Sequence, residues 1–127
     1  ECIDWLNLFS NPILVLHINH ANEIGPELEK SVSILKASGV VVLNQAVLLR
    51  GVNDSLQAQI DLHRSCFDNG IQPYYLHMLD PVAGAAHFNV PERDALDLYK
   101  QMRGSLSGYM LPSLVREKPG DVAKSRY

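Results

Sequence analysis

Three short stretches of this chain are apolar almost without interruption: Pro12 to Ile18, Val40 to Leu43, and Pro73 to Met78. Their branched and aromatic residues, with little polar alternation, predict strands covered on both faces. Between them the apolar positions recur at helical spacing. Pro26 and Glu27 suit a first turn, Leu28, Val32 and Leu35 follow on one stripe, and Ser38-Gly39 ends the element. Asp54 followed by Gln57 resembles a capping box, after which Leu56, Ile60, His63 and Phe67 form a stripe that stops at Asn69-Gly70. A third helix opens at Pro91-Glu92 and turns Ala95, Leu98, Met102 and Leu106 inward. Strand alternating with helix predicts an α/β fold with a parallel sheet of at least three strands joined by right-handed crossovers. After the third helix, residues 107–124 read as an extended apolar stretch, a Pro119-Gly120 turn and a lone lysine, Lys124.

Polar residues gather where each strand is predicted to stop. His17, Asn19, His20 and Asn22 follow the first, Asn44 and Gln45 the second, and His77 and Asp80 the third. In parallel α/β folds the C-terminal ends of the strands carry the active site. The following loops, Ala46 to Asn53 and Pro81 to Val90, are long enough to be functional. Polar residues also cap strands merely to satisfy backbone groups, so no single one of them decides the matter. His17 and His20 lie three apart. On a strand they point to opposite faces, which argues against a shared metal and for hydrogen bonding to a ligand or to backbone. By chemistry alone, Pro119-Gly120 is an ordinary turn and Lys124 an ordinary surface lysine.

Composition narrows the class without naming it. At 127 residues, 46% hydrophobic and 20% charged, the chain has the make-up of one globular unit. A net charge of −3 with scattered Lys and Arg argues against a nucleic-acid partner, and no apolar run is long enough for a membrane span. Cys2 and Cys66 form no metal or redox motif and read as free thiols in a reducing cytoplasm. The absent initiator Met and an opening inside an apolar-periodic stretch predict a fragment of something longer, and no secretory signal is expected.

Five blocks raise a resemblance: Leu16-His17-Ile18-Asn19-His20-Ala21-Asn22-Glu23, Leu43 to Asp54 (LNQAVLLRGVND), Pro73-Tyr74-Tyr75-Leu76-His77, Gly84-Ala85-Ala86-His87-Phe88 and Ser107-Gly108-Tyr109. In order, from about Ile13 to Lys124, they resemble the lysine 2,3-aminomutase family. Within it they look closest to the bacterial branch that makes β-lysine for attachment to elongation factor P. The resemblance implies a radical S-adenosylmethionine enzyme with a partial barrel, a [4Fe–4S] cluster and pyridoxal phosphate. Residues 1–127 would be its C-terminal portion, the cluster-binding CxxxCxxC lying upstream of this chain. It further implies that Lys124 is the Schiff-base residue for pyridoxal phosphate. Asp80 and Glu117 would hold the side-chain ammonium of substrate lysine, and His17 and Gln45 would lie against S-adenosylmethionine. The sequence departs from the family around Lys124, where Gly120 is followed by Asp121, Val122 and Ala123, and Ser125-Arg126 replaces the usual Thr-Pro. No zinc is expected, because Ser55 stands where clostridial-type members place a zinc-ligand cysteine. Two other readings stay open: an aminomutase serving free-lysine metabolism, and a non-catalytic half-barrel. Two bare sheet edges are expected, covered by missing segments or by another copy in a homo-oligomer.

Overall fold

The computed structural model describes residues 12–78 and 89–116, with the backbone of 125–126. Strands β1 (Ile13–Leu16), β2 (Val41–Leu48), β3 (Gln72–Met78) and β4 (Ser113–Arg116) form one sheet in the order 1-2-3-4, and each neighbouring pair is parallel. Helices α1 (Pro26–Ala37), α2 (Leu56–Asp68) and α3 (Glu92–Ser105) supply the crossovers. Sequential order with no reversal is how a (β/α) barrel wall is laid down. A doubly wound sheet would reverse its order at a switch point.

Local chemistry explains the boundaries. Gly39 and Gly70 have φ of +86° and +77° and end α1 and α2, a conformation that disfavours any residue with a Cβ. Ser55, rather than Asp54, is the N-cap of α2, its hydroxyl accepting from Ala58 N at 3.1 Å. Asp54 instead accepts from Gly51 N in the preceding loop, so the expected capping box does not form. Pro73 has no N–H for the ladder, and the β2–β3 register shifts beside it: Asn44 pairs with Pro73 but Gln45 with Tyr75, leaving Tyr74 as the extra residue of a bulge.

One face of the sheet packs on the helices. Val42, Ala46, Leu48, Leu76, Met78 and Leu114 meet Val32, Leu62, Cys66, Ala95, Leu98 and Met102 in a single buried core. The expected stripe of α3 is buried in full, from Ala95 to Leu106. That of α2 is turned: Gln59, Leu62, His63 and Cys66 lie inside, while Phe67 is exposed. The opposite, open face carries Val41, Leu43, Gln45 and Val47 of β2, partly exposed, and by the register Val15, Tyr75, His77 and Ser113.

Two expectations about the sheet need correction. Strand β2 runs on through Asn44 and Gln45 to Leu48, so these residues lie within the strand, and so does His77 in β3. The outer edge of β4 is also not bare, since residues 125–126 form β5, pairing antiparallel with Val115 and Arg116. Among the described residues no helix is long and apolar enough to cross a membrane.

Candidate active site

A web of side-chain amides ties the C-terminal ends of β1 and β2 together. Beyond Leu16 the first strand leaves the ladder, and the Asn44 side chain takes over its pairing. Its Oδ1 accepts from Ile18 N at 2.8 Å and its Nδ2 donates to Ile18 O at 3.0 Å. Asn19 Oδ1 accepts from Val47 N at 2.9 Å. Asn53 is fully buried and makes three side-chain hydrogen bonds: Nδ2 donates to Asn19 O and Val47 O at 2.8 and 2.9 Å, and Oδ1 accepts from Leu49 N at 2.8 Å. Buried polar groups persist only when paired in this way, and here the pairing fixes where the loops emerge.

The web continues into α2. Gln59 Nε2 donates to Asn53 O at 2.7 Å, which leaves Gln59 Oε1 facing His63 Nε2 at 2.8 Å. An amide oxygen only accepts, so Nε2 of His63 carries the hydrogen and Nδ1 keeps its lone pair. Nδ1 is buried with no partner among the described residues. A second proton there would have neither water nor an acceptor, and burial pushes the imidazole down from 6.5 to about 4. Cys66, one turn on, is a buried free thiol pushed up to about 12 by burial and then by the charge of Glu23.

The loop after β1 is shaped by its own polar residues. His20 caps the short helical turn Ala21–Glu23 by accepting from Asn22 N at its Nδ1, while Glu23 Oε2 accepts from the N–H groups of Asn19 and His20. His20 thus does the backbone bonding expected of it. His17 is exposed and lies just beyond the end of β1, where the chain has left the ladder. On the open face Gln45 Oε1 lies 3.1 Å from His77 Nε2, and Tyr75 meets His77 edge-on with ring centroids 5.7 Å apart.

Of the residues singled out from sequence, the structure therefore brings Gln45 and His77 together on the open face, while His17 is exposed beyond the end of β1. Asp80, Glu117 and Lys124 lie outside the described residues, as do Cys2, the Gly84–Phe88 block and the Pro119-Gly120 turn. Sequence reasoning missed Gln59, because helical periodicity searches for apolar positions and a buried glutamine gives no such signal.

No family model matches the chain. Curated proteins do. An L-lysine 2,3-aminomutase of Escherichia coli is 45% identical over 113 residues, 89% of this chain and 33% of that protein. The chain belongs to the lysine 2,3-aminomutase family. The L-lysine 2,3-aminomutase of Haemophilus influenzae is 44% identical over 115 residues, 91% of this chain and 34% of that protein. That of Clostridium subterminale is 34% identical over 125 residues, 98% of this chain and 30% of its own length. The chain thus spans about a third of the aminomutases it matches.

The family implies three bound groups, and the residues fit them unequally. Gln45 suits a polar ligand such as S-adenosylmethionine, since it sits half-buried on the open face and no hydrogen bond is recorded for its amide nitrogen among the described residues. The fit to pyridoxal phosphate turns on Lys124, outside those residues. Cluster ligands are not supplied by this chain, whose two cysteines lack the spacing.

Proposed function

We propose that this chain is the C-terminal portion of an L-lysine 2,3-aminomutase, an isomerase that converts L-α-lysine to β-lysine by moving the amino group between adjacent carbons. The observation that carries the reading is 45% identity over 113 residues to the Escherichia coli L-lysine 2,3-aminomutase. The Gln45–His77 pair, in the C-terminal halves of β2 and β3 on the open face, supports the reading, because parallel barrels do their chemistry toward that end of the sheet. When bound, S-adenosylmethionine with its cluster supplies hydrogen abstraction, and pyridoxal phosphate supplies a conjugated system for the migrating nitrogen.

The chain's own residues bind and orient. Gln45 and His17 hold polar groups of S-adenosylmethionine, and Lys124 is the amine that anchors pyridoxal phosphate. Asp80 and Glu117 pair with the substrate's side-chain ammonium, which would be costly to leave unpaired in a dry site. The amide web around Asn53 keeps the first two loops in place, so that the reacting groups meet in one geometry. The proposed setting is the cytoplasm, and the proposed destination of the product is elongation factor P.

The full-length protein, purified anaerobically with its cluster, pyridoxal phosphate, S-adenosylmethionine and a reductant, is expected to form β-lysine from L-lysine, detected by chromatography. Failure to form it would overturn the reading. Deletion of the gene should remove β-lysyl modification from elongation factor P. A deletion strain with normally modified factor would return the product to free-lysine metabolism.

A further inference from the structure

A glutamine side chain has two unlike ends, an oxygen that accepts and a nitrogen that donates, and three rotatable bonds over which to present either. On the open face of this sheet one neighbour removes that freedom. His77, on the adjacent strand β3, places Nε2 3.1 Å from Gln45 Oε1. With an oxygen opposite, Nε2 is the protonated nitrogen and donates. The Gln45 oxygen is then engaged, and the two N–H donors point away from His77. His77 is itself held in place: Tyr75 meets it edge-on at 5.7 Å and stacks on Tyr74 at 4.0 Å, on the bulge that aligns Gln45 with Tyr75.

We propose that His77 is a positioning residue that fixes the Gln45 amide with its donors toward the ligand, so that this subsite takes a hydrogen-bond acceptor such as a carboxylate or hydroxyl oxygen. The proposal rests on the reading that Gln45 lies against S-adenosylmethionine, whose methionyl carboxylate and ribose hydroxyls offer such acceptors. His77 acts through Gln45, and its effect exists only while Gln45 is present.

The experiment is equilibrium binding of S-adenosylmethionine to the full-length, cluster-loaded protein, for wild type, His77→Phe, Gln45→Ala and the double variant. His77→Phe keeps a ring but removes the donor, and should raise the dissociation constant roughly ten-fold, the worth of one mis-set polar contact. In the Gln45→Ala background the same change should have no further effect, because a residue acting through another is non-additive with it. Wild-type affinity in His77→Phe, or an equal loss in both backgrounds, overturns the proposal. Gln45→Glu gives a check that leaves His77 intact. It keeps an acceptor for His77 but has no donors, so it should bind at least as poorly as Gln45→Ala, and wild-type affinity there would overturn the assigned polarity. If the wild-type protein binds no S-adenosylmethionine, it is the functional reading that falls.

Discussion

Lowering the pH from 7 to 5 should destabilise this fold through His63, and replacing His63 with Leu should remove that sensitivity. His63 is buried with its Nδ1 unpartnered among the described residues, and its pKa falls from 6.5 to about 4. In the unfolded chain the imidazole takes up a proton as the pH drops through 6.5, whereas in the folded chain it resists until about 4. The unfolded state therefore binds more protons throughout that window. The stabilising contribution is complete above 6.5 and is lost progressively as the pH falls toward 4. At about 1.4 kcal/mol per pH unit, the whole window is worth roughly 3 kcal/mol, and the step from pH 7 to pH 5 about 2 kcal/mol. His63→Leu should cost about 1 kcal/mol at pH 7, where the Gln59 oxygen loses its donor. By pH 5 that deficit should have closed or reversed. Urea unfolding followed by far-ultraviolet circular dichroism at pH 7, 6 and 5 measures both curves. Parallel pH profiles for the two proteins would refute the assignment of a neutral, desolvated His63.

Asn53→Ala should destabilise the protein by about 3 kcal/mol, at about 1 kcal/mol for each of its side-chain hydrogen bonds, and speed amide hydrogen exchange at Leu49. An unchanged urea midpoint would contradict the pairing described. Asp80→Asn and Glu117→Gln in the full-length protein should each weaken apparent lysine affinity by roughly 2–4 kcal/mol, the range for a desolvated charge contact. Steady-state kinetics with normal lysine dependence in both variants would remove these acids from the substrate site. Borohydride reduction of the cofactor-loaded protein, followed by peptide mass mapping, should label Lys124. Label on another lysine that survives Lys124→Ala would defeat that assignment.

The alternation of strand and helix was legible because each element repeats its apolar residues at its own period, and α3 buries the very stripe its spacing marks out. The end of β2 was not legible. Asn44 and Gln45 read locally as a strand terminus, but Asn44 pairs with Ile18, 26 residues away, and Gln45 with His77, 32 away. Such partners outweigh local propensity and leave no trace in a short window. The same holds for α2, where the stripe marks His63 but not Gln59, whose amide finds its partners in Asn53 O and His63. Of the candidate site, Gln45 and His77 were singled out by the general rule that function sits at strand ends, though both lie within their strands. Asp80, Glu117 and Lys124 were named through resemblance, since a carboxylate or a lysine near a turn has no chemistry that marks it out.

A fold built from repeated strand and helix units invites division between one unit and the next, and the Asn44 and Asn53 side chains restrict where a cut can fall. A piece beginning at Val40 would retain Asn44 without the Ile18 peptide it grips, and Val47 and Asn53 without their partners on Asn19. Each polar group stranded in the interior costs about 1–3 kcal/mol, enough together to consume much of a small domain's stability. The first two units therefore have to be inherited, permuted or recombined as a pair. A chimera should exchange residues 12–53 as one block.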